Sequence, residues 1–166
     1  MILWMFVVTA LSGFSGIGTG ATQAPSPLGQ GVTVTPAAGW ESAKSVWDVG
    51  PGAISLQRAG VLVAFAADSY GGTAQQLLDE QLSGLKDQFG SFRSLPPAST
   101  TVAGDIPALK ILFSGTATKS GDLEGELVTA TVGQTGVVMM AVAPAGQVAQ
   151  MQGDLDAMLE SLAIPR

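Results

Sequence analysis

Carboxylates are the side chains of this chain with the widest choice of chemistry. The sequence contains thirteen Asp and Glu residues but neither His nor Cys. Without His it lacks the usual general base and the commonest metal ligand. Without Cys it lacks disulfides, thiolate nucleophiles, zinc-thiolate sites and an acceptor for lipid attachment. The composition excludes most familiar hydrolase and metalloenzyme designs, and we predict no catalytic residue, no metal and no cofactor.

A row of acids is the first candidate site, and its members alternate along one segment: Asp122, Glu124 and Glu126. In a strand, alternate residues share a face and stand about 7 Å apart. Such a row could bind a calcium ion or a cationic partner. Leu123 and Leu127 would form the buried face of the same strand, which favours an ordinary solvated acidic surface row. Repulsion within the row predicts that one acid meets a base such as Lys110 or Lys119 across the sheet.

An apolar pocket is the second candidate site. Its predicted lining is Trp40, Trp47, Phe65 and Met139. The tryptophans could bind an acyl chain or a sugar, and Met supplies adaptable lining for an apolar ligand. Plain core packing is the more ordinary role for the same residue types.

The loop before the first predicted helix is a third, weaker candidate. Asp68, Ser69 and Tyr70 end a predicted strand and precede Gly71, Gly72 and a helix N-terminus. Backbone N–H groups at such a position can hold an anion. A turn followed by a helix cap explains the same residues without a ligand.

The first twenty residues are strongly apolar and uncharged. About nineteen helical residues span the ~30 Å core of a bilayer. We favour an uncleaved transmembrane anchor, with a cleaved signal segment or a buried helix as alternatives. The flanks do not decide between them, because neither a basic n-region nor a cytoplasmic Lys/Arg cluster precedes the segment. Residues 21–30, rich in small residues and Pro, are predicted to be a linker, and residues 31–166 the folded domain.

The charged residues all lie between Glu41 and Arg166, and the net charge is −6. A field of this sign repels polyanions on average. We therefore expect no nucleic-acid partner.

The hydrophobic pattern predicts an α+β domain organised around one hairpin, from Leu123 to Val142. Further strands are predicted at 31–35, 44–48, 53–58, 61–66, 100–102 and 109–115. Residues 61–66 are apolar at every position, which predicts a strand covered on both faces.

Two amphipathic helices complete the predicted domain. The first begins after Thr73, which has capping-box spacing to Gln76, and ends near Gly90, which stands where a left-handed C-terminal glycine would. The second carries an apolar stripe from Val148 to Leu162.

Several short motifs resemble the PsbP/Mog1-like superfamily. They are the strand-Pro-x-x-Gly-Trp start at 34–40, the helix after Tyr70-Gly-Gly-Thr73, the turn at 102–108, the Gly125-Glu126 hairpin and the closing amphipathic helix. The chain looks like the actinobacterial exported branch, the anchored or lipid-attached envelope proteins of mycobacteria. The resemblance implies one antiparallel sheet packed between helices, used as a non-catalytic binding module. The superfamily shares a fold rather than a site, so it assigns no functional residue.

The missing Cys excludes lipid attachment of the kind that branch uses and favours the apolar segment as the anchor. We therefore expect a membrane-tethered extracytoplasmic domain, or a secreted one if the segment is cleaved, that binds an envelope protein or a lipid-like ligand. The alternative is a ligand-sensing exterior domain of a longer membrane protein whose cytoplasmic part is missing. An enzyme that uses carboxylates alone, such as a glycosidase, is the least favoured hypothesis because no pair of acids has a recognisable motif.

Overall fold

The computed structural model describes residues 24–43 and 52–166. The apolar segment 1–20 and the predicted strand 44–48, with Trp47, lie outside the described residues. Within the described ranges, no helix is long and apolar enough to cross a membrane.

The fold is an antiparallel sheet with one helix on each face. The helices are α1 (Ala74–Gln88) and α2 (Gln152–Glu160), and short 3₁₀ turns cover Gly29–Gly31 and Val148–Met151. The strands are β1 (Ser26–Pro27), β2 (Thr33–Val34), β3 (Glu41–Ser42), β4 (Ala53–Arg58), β5 (Val61–Ser69), β6 (Gly90–Ser94), β7 (Ala98–Val102), β8 (Ile106–Ala117), β9 (Gly121–Val132) and β10 (Thr135–Pro144). This is the α+β sandwich that the sequence predicts.

The β9–β10 hairpin occupies the middle of the main sheet. The strand order is β3-β4-β5-β10-β9-β8-β6, with β7 also paired to β8. β10 pairs with β9 on one side and with β5 on the other over most of its length. The prediction that this hairpin organises the domain is confirmed.

The central strands are buried on both faces of the sheet. Residues 61–67 of β5 and 136–143 of β10 are all buried. Val63, Phe65 and Met139 contribute to a core beneath α2, whereas Leu62 and Met140 contribute to a second core beneath α1. We therefore call the two sides of the sheet the α2 face and the α1 face.

The start of α1 follows the predicted capping box. The Gln76 N–H donates to the Thr73 hydroxyl (3.2 Å), and the Gln76 side-chain oxygen accepts from the Thr73 N–H (2.9 Å). The predicted left-handed glycine at its end is wrong. Phe89 leaves the helix in an extended conformation and Gly90 begins β6, because the Phe89 ring is held against Phe113 with centroids 6.0 Å apart.

The folded unit starts earlier than the predicted boundary at residue 31. Ser26 and Pro27 pair with Val34 and Thr33, and Leu28 is buried. The Gly29 N–H donates to the Gly52 carbonyl (3.1 Å). Small residues and Pro suggested a linker, but Gly29 lets the backbone pack closely against Ala67. A Cβ on Gly29 would stand 2.1 Å from the Ala67 carbonyl oxygen.

Two glycines on the α1 face lie beneath aromatic rings. Gly125 is directly opposite Phe113 across the β8–β9 ladder. A Cβ at Gly125 would stand 2.2 Å from the Phe113 ring and 2.7 Å from the Ala141 carbonyl oxygen. At Gly115 a Cβ would stand 2.8 Å from the Phe89 Cβ. The absence of a side chain at these positions lets the rings lie flat on the sheet.

Polar contacts hold both sides of α2. On the β4 side, Asp154 Oδ2 accepts from Trp40 Nε1 (2.9 Å) and from the Arg58 guanidinium (2.6 Å). On the β8 side, the Lys110 ammonium lies 3.2 Å from the Glu126 carboxylate and 3.7 Å from Asp156. The helix is therefore held by ion pairs to both halves of the sheet.

The buried charge of Glu126 is compensated mainly by Lys110. Its side chain is fully buried, and neither carboxylate oxygen has a well-aligned hydrogen bond among the described residues. The ion pair with Lys110 therefore supplies most of the compensation for burying this charge.

Replacing Gly125 by Ala is expected to lower the free energy of unfolding by about 2 kcal/mol or more, because the added methyl has no space between the Phe113 ring and the sheet backbone. Urea denaturation of the full chain measures this. Gly153→Ala is the matched control, since a Cβ there meets nothing within 4 Å. The control should be stabilising by about 0.5 to 1 kcal/mol, because Ala favours the helix over Gly. Equal effects of the two substitutions would contradict the packing argument.

Replacing Lys110 by Met is expected to cost about 3 kcal/mol of stability, because it leaves the Glu126 charge buried without a cation. The double variant K110M/E126L should recover most of that loss, since an apolar pair replaces a buried ion pair with little penalty. Asp156→Asn is the control and should change stability by less than about 1 kcal/mol, because Asp156 is largely exposed. A double variant no more stable than K110M would contradict this account.

Candidate binding surface

Three of the four residues of the predicted apolar pocket form packed core. Trp40, Phe65 and Met139 belong to one buried cluster between the sheet and α2, and each is at most 1% exposed. The indole N–H of Trp40 is satisfied by Asp154 (2.9 Å). Trp47, the fourth residue, lies outside the described residues.

A concave site of about 410 Å³ lies elsewhere, beside the β7–β8 turn and the segment after α2. Its lining residues are Gly31, Ala103, Ile106, Leu162, Ala163, Ile164, Pro165 and Arg166. At its polar end, Arg166 is paired with Asp105 (2.5 Å). Sequence reasoning missed this site, because residues far apart in the chain form it and none of them carries a recognisable motif.

The acidic row lies on the α2 face, but its members differ in burial. Asp122 is exposed and accepts a hydrogen bond from the Thr116 hydroxyl (3.1 Å). Glu124 is half-buried and accepts from the Val148 N–H (2.9 Å). Glu126 is fully buried. The expectation of a solvated row therefore fails at Glu126, because α2 covers that end of the strand.

The expected cross-sheet base is present. Lys110 on β8 forms the ion pair with Glu126, as repulsion within the row predicts. The described residues contain no group of three or more carboxylates able to hold a metal ion. The row is thus divided into a structural residue, Glu126, and two acids that face the surface.

An open corner of the α2 face adjoins these two acids. Leu112, Ser114 and Thr116 lie opposite Glu126, Glu124 and Asp122 in the β8–β9 ladder, and all three β8 residues are exposed. Arg93 on β6 lies opposite Ser114. This part of the sheet extends past α2, a helix of nine residues and about 14 Å in length.

Two leucines protrude at this corner. Leu95 is 59% exposed and Leu112 is 42% exposed, and they are the exposed large hydrophobic residues of the described ranges. The Leu95 N–H donates to the Leu112 carbonyl (2.9 Å). Because Ser94 lies opposite Phe113, strand alternation puts Leu95 on the Leu112 side of the sheet.

We call this corner the leucine–acid surface; its members are Arg93, Leu95, Leu112, Ser114, Asp122 and Glu124. Exposed apolar side chains that adjoin one another and are rimmed by polar residues are a feature of interaction sites. The sequence gives a partial signal for it in Leu112, whose neighbours alternate between buried and exposed. Leu95 follows Ser94 in a strand that the sequence analysis did not predict.

The loop before α1 uses several of its polar groups in contacts within the domain. The capping box already satisfies the N–H groups of Thr73 and Gln76. The Tyr70 hydroxyl donates to Glu80 (3.0 Å). Partial burial, together with this hydrogen bond and the charges of Glu80 and Asp79, raises the pKa of Tyr70. The turn and helix cap account for these residues.

Comparison with known proteins gives structural matches only. No protein-family model matches the chain, and no curated protein sequence is similar to it. Among solved structures, cyanobacterial PsbP (CyanoP) from Synechocystis sp. PCC 6803 is similar with a TM-score of 0.61 and 9% identity, covering 93% of this chain and 99% of that one.

Two further structures are similar over most of their length. The Ran-binding protein Mog1p of Saccharomyces cerevisiae has a TM-score of 0.53 and 12% identity, covering 86% of this chain and 96% of that one. LpqN, involved in cell envelope biogenesis of Mycobacterium tuberculosis, has a TM-score of 0.54 and 14% identity, covering 89% and 90%.

A longer protein from Bacteroides thetaiotaomicron VPI-5482 is also similar, with a TM-score of 0.57 and 10% identity. It matches 81% of this chain, which spans only 45% of that protein. Identities this low establish a common fold and leave function open. The sheet between two helices and these matches together establish that the chain has the PsbP/Mog1-like fold.

Proposed function

We propose that this domain is a non-catalytic accessory module that binds a protein partner through the leucine–acid surface. We propose further that it works outside the cytoplasm in the cell envelope of an actinobacterium, tethered by its apolar N-terminal segment.

The observation that carries the proposal is the pair of adjacent exposed leucines on an open sheet corner. Burying these two side chains against a partner would remove apolar surface from water, which favours association. Arg93 and Glu124 lie opposite Ser114, two residues from Leu112, and Asp122 lies further along β9. With one base and two acids, the members of this surface carry a net negative charge. The partner surface should accordingly combine apolar residues with Lys or Arg.

The state of the other candidate groups supports a binding role. Glu126 is engaged by Lys110, and Asp154 by Trp40 and Arg58. A carboxylate mechanism needs two acids facing one accessible space, and Glu126, Asp154 and Glu124 are each engaged in a structural contact within the domain. We therefore propose that the domain has no enzymatic activity.

Structural neighbours add support of a general kind. Mog1p is a Ran-binding protein, and LpqN takes part in cell envelope biogenesis. A partner that is a protein, and a place of action in the envelope, are both consistent with those descriptions.

The concave site near Arg166 favours a second candidate function. Its volume of about 410 Å³ and its Ile106, Leu162 and Ile164 lining suit a small apolar ligand. A ligand-sensing exterior domain of a longer membrane protein would use such a site.

The variant L95S/L112S tests the leading proposal. Both side chains are exposed, so stability should change by no more than about 0.5 kcal/mol per site. Affinity capture from detergent-solubilised envelope membranes, with the full chain as bait, should yield a protein bound by the parent and lost with L95S/L112S. Ser83→Asp, an exposed substitution on α1, is the control and should retain it.

Two results would count against the proposal. One is a captured set that is the same for all three baits. The other is a lipid that copurifies in stoichiometric amount without any leucine-dependent protein, which would support the apolar-ligand function instead.

A further inference from the structure

The outer side of β7 is an unpaired strand edge. Residues Ala98–Val102 pair with β8 on one side, and no element in the described part of the chain pairs with the other side. Along such an edge, alternate N–H and C=O groups point outward without ladder partners. Ser99, Thr100 and Thr101 are uncharged; Ser99 and Thr101 are exposed and Thr100 is half-buried, so the edge is accessible.

The neighbouring strand β6 shows what a protected edge looks like in this chain. Its pairing with β8 shifts register between Gly90 and Arg93. Arg93 adds a charge, and Pro96 and Pro97 lie between β6 and β7. Bulges, charges and prolines are the usual obstacles to strand addition. β7 contains none of the three, which leaves it as the open part of this side of the sheet.

Helix α2 places carboxylates beside β7. The Leu159 carbonyl accepts from the Ala103 N–H at the end of β7 (3.0 Å). Asp156 lies 3.7 Å from Lys110, whose cross-strand neighbour on β7 is Ala98. Asp156 and Glu160 are one helical turn apart and both exposed, so they share one face of the helix.

The distances suit long basic side chains. A strand added outside β7 would lie about 10 Å from β8, at twice the ordinary strand spacing. On the α2 face, the side chains of the added strand would project to the same side of the sheet as α2. An extended Lys or Arg there can approach Asp156 or Glu160.

We propose that β7 accepts an extended, Lys- or Arg-containing segment of the protein partner as an added strand. Backbone hydrogen bonds to β7 supply the binding, and Asp156 and Glu160 select basic side chains on the α2 face. This inference rests on the proposed function, because it names the part of a partner that binds next to the leucine–acid surface.

A second copy of this chain is the less suitable occupant. Antiparallel pairing of β7 with its copy has a two-fold axis perpendicular to the sheet, so both α2 helices would lie on the same side. The Asp156 and Glu160 carboxylates of the two copies would then approach each other, and like charges oppose such an interface.

The test uses a synthetic peptide of alternating Lys and Thr with blocked ends, added to the full chain. Two further peptides carry N-methyl groups on one or the other alternate set of residues. In an added strand only one set donates to β7, so one methylated peptide should lose binding at least about tenfold and the other should bind normally. Hydrogen exchange should show protection of β7 amides by the parent peptide, and a peptide with Glu in place of Lys should not bind.

The charge contribution is tested on the protein. The variant D156N/E160Q should weaken binding of the Lys peptide about five- to tenfold, since two exposed ion pairs are lost. The variant D79N/D87N removes the same number of charges from the exposed side of α1 and should leave the affinity unchanged.

Three results would overturn the inference: equal binding of both methylated peptides, an equal loss with D79N/D87N, or protection of β7 amides by dimerisation without peptide. A natural partner that depends on Leu95 and Leu112 but leaves β7 exchange unaltered would also overturn it, while leaving the proposed function intact. Peptide binding at β7 without any leucine-dependent partner would support strand addition and count against that function.

Discussion

The burial of β5 and β10 on both faces is the constraint on which the rest of this structure depends. Two adjacent strands that are apolar at nearly every position cannot face water on either side. Each face therefore needs a cover, and the chain supplies α1 for one face and α2 with Leu28, Val32 and Val34 for the other. The ion pairs of Asp154 and Lys110 hold α2 where the apolar surface requires it. The burial of β5 and β10 thus accounts both for the stability of the domain and for the position of the open corner.

The sequence contains most of this architecture because its periodicities are strong. The apolar run 61–66 predicts a doubly covered strand, and Thr73 with Gln76 predicts the start of α1. The hydrophobic pattern of the sequence does not show where a helix stops covering a strand. Asp122, Glu124 and Glu126 alternate identically in the sequence, yet α2 buries only the last of them. The same limitation hides the leucine–acid surface, which exists where the long strand β8 extends past a short helix.

Local signals also failed where tertiary contacts overrode them. Gly90 has the spacing of a helix-ending glycine, but the packing of Phe89 on Phe113 directs the chain into β6. Pro107 indicates a turn, although it is the second residue of β8 and lies opposite Thr101, near the strand start, where a missing N–H is tolerated. The segment around Gly29 has the composition of a linker, but its lack of side chains allows it to pack against Gly52 and Ala67. In each case a partner distant in the sequence decided how the residue is used.

The contact of Gly29 with Gly52 also limits the length of chain between the folded domain and the apolar N-terminal segment. With Ser26 already part of the fold, only residues 21–25 separate the apolar N-terminal segment from the sheet, and five residues extend over at most about 18 Å. If that segment is the proposed anchor, the domain stands on a short tether and cannot sample all orientations above the bilayer. A partner embedded in the same membrane would then meet a restricted set of approach angles. A tether this short increases the effective concentration of one face of the domain toward such a partner.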